Sequence, residues 1–129
     1  MHIAVNALIT RHDGKPFQTV VDTDVIDGRP QPIMADLTLG LLLIEALPIV
    51  PAGVAVTAVE MMRRDDLARA VFAALHADGM VMLTSTQVVL LKRQIELLQE
   101  HRHYSVFACA AALRLVAPDD FADPERGAA

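Results

Sequence analysis

The chain has 129 residues, a formal net charge of −5 and 53% hydrophobic residues, with five aromatics and no tryptophan. This length fits one domain, and size scaling leaves about two thirds of the chain's surface buried, enough for a core without disulfides or metal. The apolar content excludes wholesale disorder. The longest apolar stretch, Leu37–Val50, is broken by Thr38, Gly40, Glu45 and Pro48, which excludes a spanning helix of about twenty uninterrupted residues.

The N-terminal third reads as strands and turns. Ile3–Thr10 is β-branched and apolar, and Asp13-Gly14 before Lys15-Pro16 is turn chemistry. Phe17–Ile26 is a second strand candidate. Asp27-Gly28 then forms a second turn, and Pro30 and Pro32 keep the next segment extended. The expected unit is a hairpin or a short three-stranded meander. Asp22 and Asp24 alternate along a strand and share one face.

Helix signals follow. Thr38 caps a helix to about Leu47, stopped by Pro48. After a Pro/Gly-punctuated link, Thr57-Ala-Val-Glu60 has capping-box spacing and opens a helix to about Ala77, ended by Asp78-Gly79. Its apolar positions are Val59, Met62, Leu67, Ala70, Val71, Ala74 and Leu75, with Arg63, Arg64, Asp65, Asp66 and Arg69 mostly opposite. Met80–Leu83 is a short strand or buried extended link. Thr84-Ser-Thr-Gln87 opens a helix to about Glu100, with Val88, Leu91, Ile95 and Leu98 in one stripe and Lys92 and Glu96 as an i,i+4 pair. His101-Arg102-His103 is a polar break. The last helix, Ser105–Val116, is apolar nearly all round and is expected to be buried on most faces.

Strands first and helices afterwards indicate an α+β fold. The reading is one domain over 1–117, with a strand region at 1–36, a helical body of about four helices at 37–117, and an acidic mobile tail at 118–129. Charge divides the same way. Residues 1–57 carry net −3, 58–117 net +1 and 118–129 net −3.

The sequence offers no catalytic, cofactor or metal residues. Cys109 cannot pair within the chain and lies among alanines, as an inert core thiol does. His101 and His103 would diverge on a helix, and one cysteine does not complete a zinc site. Neither GxxxxGK[ST], GxGxxG nor GxSxG occurs. The helices over 57–100 bring few cations, and their seven-residue link is long for a helix-turn-helix, so the pattern argues against nucleic acid. Met61, Met62, Met80 and Met82 suit core filling better than a partner surface. No signal-peptide pattern opens the chain, and an intracellular protein is expected.

Asp13-Gly14-Lys15-Pro16, then Leu37-Thr38-Leu39-Gly40 with Glu45-Ala46-Leu47, then Leu67-Ala68, then Leu83-Thr84-x-x-Gln87 with Leu91-Lys92 and Ile95, resemble in order a group of small proteins of tailed phages and prophages. The chain differs from that group in its Pro48–Val56 insert and in Gln87 where the group has an acid. The resemblance implies a phage setting, in the host cytoplasm or associated with the virion, and no enzyme activity. The expected function is a non-enzymatic interaction factor in head or tail assembly, acting through self-association or a protein partner. The alternative is a phage regulator or inhibitor that binds a host protein. Leu42 and Ile44 of the first helix, and Phe107 and Leu113 of the last, are the candidate interface residues, with protomer core as the competing role.

Overall fold

A computed structural model describes residues 1–102 and 104–121. Its elements are β1 (His2–Ala4), β2 (Gln18–Ile26), β3 (Arg29–Asp36), α1 (Leu39–Ala46), α2 (Ala58–Leu75), β4 (Met80–Met82), α3 (Ser85–Arg102) and α4 (Val106–Val116). The fold is α+β, with a helical body and two separate two-stranded antiparallel sheets, β1–β4 and β2–β3. No described helix is long and apolar enough to cross a membrane.

The local signals act as their chemistry requires. Thr38 Oγ1 accepts the Leu41 N–H at 3.3 Å, and Thr57 Oγ1 accepts that of Glu60 at 3.1 Å. At α3 the capping box closes both ways. Thr84 Oγ1 accepts the Gln87 N–H at 3.2 Å, while the Gln87 side chain accepts the Thr84 N–H at 2.9 Å. Ser105 caps α4 through the Ala108 N–H. The chain leaves α2 through Gly79, whose φ of 76° is in the left-handed region and whose N–H reaches the Ala74 carbonyl at 2.9 Å.

The first strand departs from the expected meander. β1 covers only His2–Ala4 and pairs with β4, from Ala4↔Met80 to His2↔Met82, so the N-terminus crosses to the far end of α2. The reason is local. Residues 5–9 are occupied by other partners, because the Ala7 carbonyl accepts the Leu39 N–H and the Val5 carbonyl accepts the Gly40 N–H, both at 2.8 Å.

The core is built from α1, the Leu67–Val71–Ala74 side of α2, Leu91, Ile95 and Leu98 of α3, and Ala108, Cys109, Ala112 and Val116 of α4. Two α2 expectations fail. Val59, Met62 and Ala70 are exposed, and Arg64 is buried. Met80 and Met82 also face outward, so these methionines do not fill the core.

The buried face of α2 is instead the stripe Arg64, Leu67, Val71 and Ala74, which follows helical spacing once Arg64 is counted in. Arg64 enters because α1 ends against it. Its guanidinium donates to the Leu47 and Ile49 carbonyls at 3.4 and 3.2 Å. Gln94, fully buried on α3, shares its two amide N–H groups among the Ala46, Leu47 and Ile49 carbonyls, with its nitrogen 2.9–3.1 Å from each. Two side chains from neighbouring helices thus satisfy carbonyls left over at a helix end.

Lys92 does not pair with Glu96. Its ammonium meets the Asp120 carboxylate at 2.5 Å and lies 5.4 Å from the centre of the Phe121 ring. His103 and residues 122–129 of the expected tail lie outside the described residues.

Candidate interaction surface

The strongest departure from a closed globule is the β2–β3 hairpin. Its turn is Asp27-Gly28, with φ of 54° and 76°. Positive φ at both central residues marks a type I′ turn, whose twist matches the strands and which Asp-Gly is suited to make. The ladder runs from Ile26↔Arg29 back to Gln18↔Asp36. Apart from the half-buried Thr19 and Ala35, every residue of both strands is exposed. The hairpin is therefore an arm, about 30 Å long at 3.3 Å per residue. The chain's accessible surface is 8421 Å², against about 6,700 Å² expected for a compact protein of this mass, and the arm adds to it.

The arm is two-faced. A β-bulge between Val20 and Asp22 leaves Val21 unpaired. The shift puts Val20, Thr23 and Val25 on one face with their partners Met34, Pro32 and Pro30. The other face carries Asp22, Asp24 and Ile26 with Ile33, Gln31 and Arg29. One face is thus apolar except for Thr23, and it is open, with Val25 69% exposed. Prolines lack the ladder donor and are tolerated only where it would point outward. Pro30 and Pro32 therefore blunt the outer edge of β3, as edge prolines do against strand addition.

The root of the arm is firm. The Phe17 N–H donates to the Ile9 carbonyl at 2.8 Å, and the Ile9 N–H to the Leu37 carbonyl at 2.9 Å. Gln18 and Asp36 bond across the base. Tyr104, in the link before α4, interacts with Thr19 of β2 and with Glu45 of α1. Partial burial, and then the Glu45 charge, push the Tyr104 hydroxyl up to about 12. Burial also raises Glu45, against the lowering effects of Tyr104 and the Arg102 charge.

Beside this root lies a groove lined by Leu8, Thr10, Arg11, His12, Val106, Phe107, Ala110, Ala111, Arg114 and Leu115. Phe107 packs edge-on against His12, with ring centres 4.3 Å apart. The groove corrects the expectation for α4. Its alanine and cysteine face packs inward, while Val106, Phe107 and Leu115 stay open to solvent.

The four residues singled out from the sequence separate accordingly. Phe107 is 59% exposed and forms part of the groove, whereas Leu42 is 0% exposed and belongs to the protomer core. Ile44 and Leu113 are half-buried against that core. The exposure of the hairpin on both faces goes beyond the sequence reading, and its signal is the alternation Pro30-x-Pro32-x-Met34.

Among the described residues, no group of three or more His, Cys, Asp or Glu side chains is placed to hold a metal ion. Asp65 is engaged by Arg69 at 2.7 Å, and Glu60 lies 3.5 Å from the Arg64 guanidinium. Burial pushes the Cys109 thiol up to about 11. At pH 8 its alkylation by iodoacetamide is therefore expected to be at least tenfold slower in the folded chain than in denaturant. Equal rates would show that the thiol is not enclosed. No protein-family model, curated protein or solved structure matches this chain.

Proposed function

We propose that this chain is a non-enzymatic protein-interaction factor whose working part is the projecting β2–β3 arm. One observation carries the reading. A two-stranded hairpin is marginal by itself in water, yet this one leaves an apolar face of Val20, Val25, Pro30, Pro32 and Met34 uncovered. Such a face gains stability when a protein surface covers it. The resemblance to small tailed-phage proteins supports placing the interaction in head or tail assembly.

The test is in-cell photo-cross-linking from a benzophenone side chain at position 25. Protein adducts through the arm are expected, and they should be abolished by Met34→Asp. Absence of any adduct would overturn the reading.

A further inference from the structure

A strand that projects into solvent carries a row of backbone donors and acceptors open to a further strand. Which groups of the arm point outward follows from its turn. A two-residue type I′ turn closes on a hydrogen-bonded pair, here Ile26↔Arg29. Antiparallel rungs alternate, so Asp24↔Gln31 and Asp22↔Ile33 are hydrogen-bonded as well. Val25↔Pro30 and Thr23↔Pro32 are then the rungs whose backbone groups face outward. Both prolines stand where an outward donor would be, and proline has none.

On the same rungs β2 has outward N–H groups at Thr23 and Val25, and each is already engaged. The Asp22 carboxylate accepts the Thr23 N–H at 2.7 Å, and the Asp24 carboxylate accepts the Val25 N–H at 2.8 Å. Toward the root, the bulge at Val21 interrupts the edge. We infer that Asp22 and Asp24 are edge guards, which hold the outward donors of β2 and keep the arm from pairing with the β2 strand of a second copy.

The geometry of that unwanted pairing shows what the guards prevent. Two β2 strands set antiparallel about Asp24 bring Thr23 of each opposite Val25 of the other, and each such pair exchanges both N–H···O bonds. It therefore needs the same amides that the carboxylates hold. It also sets Asp24 against Asp24, where like charges oppose. An exposed arm with an apolar face and a bare edge is a template for aggregation. A partner of the arm consequently engages a face, through side chains, and adds no strand to either edge.

Sedimentation equilibrium on the unsubstituted chain and two double variants separates the carboxylates' hydrogen bonds from their charge. Asp22→Ala with Asp24→Ala removes the acceptors and should at least double the mass of the particle. Asp22→Asn with Asp24→Asn keeps an Oδ1 acceptor on each residue without the charge, and should leave the mass unchanged. Adding Thr23→Pro to the alanine pair removes an outward donor and should restore the original mass. All of these side chains are exposed, so circular dichroism should not change. Hydrogen exchange of the single variants gives a second readout. The Thr23 amide should exchange faster in Asp22→Ala, and the Val25 amide faster in Asp24→Ala.

An alanine pair of unchanged mass, or amides that exchange at unchanged rates, would overturn the guarding. So would an asparagine pair that associates as the alanine pair does, since charge alone would then keep the arms apart. Association that survives Thr23→Pro would lie away from this edge and overturn it too. Cross-linking from position 25 reads the arm's partner separately, so its failure leaves the edge chemistry standing.

Discussion

Gln94→Leu is expected to destabilise the fold by about 2 kcal/mol, although the replacement is apolar, similar in size and placed in a core. The two N–H groups of the amide are shared among the carbonyls of Ala46, Leu47 and Ile49, and each donor so engaged contributes about 1 kcal/mol net. The loss is moderated because none of the three carbonyls is left bare. Ala46 keeps the Ile49 N–H at 3.2 Å, and Leu47 and Ile49 keep the Arg64 guanidinium.

This sharing makes a sharper prediction for the pair. Arg64→Met alone should cost about 1–3 kcal/mol, as for a hydrogen-bonded charged group. The double variant should cost more than the sum, because the Leu47 and Ile49 carbonyls then lose both donors while remaining buried. A coupling above about 0.5 kcal/mol is expected. The combined loss approaches the 5–15 kcal/mol that holds typical domains together. Urea unfolding of the four proteins in the cycle measures it. Strict additivity would mean that the two side chains do not serve the same helix end.

The second large effect separates two residues that the sequence placed together. Leu42→Ala should cost about 2–5 kcal/mol, the range for truncating a buried leucine and leaving a cavity. Leu42 is fully enclosed within the protomer. Phe107→Ala should cost the protomer less than about 1 kcal/mol, since exposed positions away from such features change stability by little. Any larger effect should fall on association through the groove that Phe107 lines. Thermal unfolding of the two variants, each at protein concentrations a hundredfold apart, is the measurement. A Phe107→Ala loss as large as that of Leu42→Ala, and independent of concentration, would assign Phe107 to the core.

The helix starts were legible because capping is local. Thr38, Thr57, Thr84 and Ser105 each lie three residues before the amide they serve. The Asp27-Gly28 turn was legible for the same reason, since its backbone angles depend on the two residues themselves. The α3 stripe followed from spacing, because Leu91, Ile95 and Leu98 meet the body along one line.

Other features were hidden because their causes are distant in sequence. Arg64 reads as a solvent-facing charge beside Arg63, Asp65 and Asp66. Only the arrival of the α1 terminus, with carbonyls lacking helical partners, makes its burial favourable. The two-sided character of the arm was partly visible in the alternating Asp22 and Asp24. What the residues could not indicate is that no described helix covers the opposite face.

By itself, then, the sequence determined the α+β class, the four helices and the hairpin turn, all set by interactions within a few residues. Tertiary structure alone decided that β1 pairs with β4, that Arg64 and Gln94 close the end of α1, and that the apolar excess divides between a closed core and an open surface. The physical reason is that burial is a property of what arrives from elsewhere in the chain. Leu42 and Phe107 are both apolar helix residues, yet one is surrounded by three other helices and the other borders a groove.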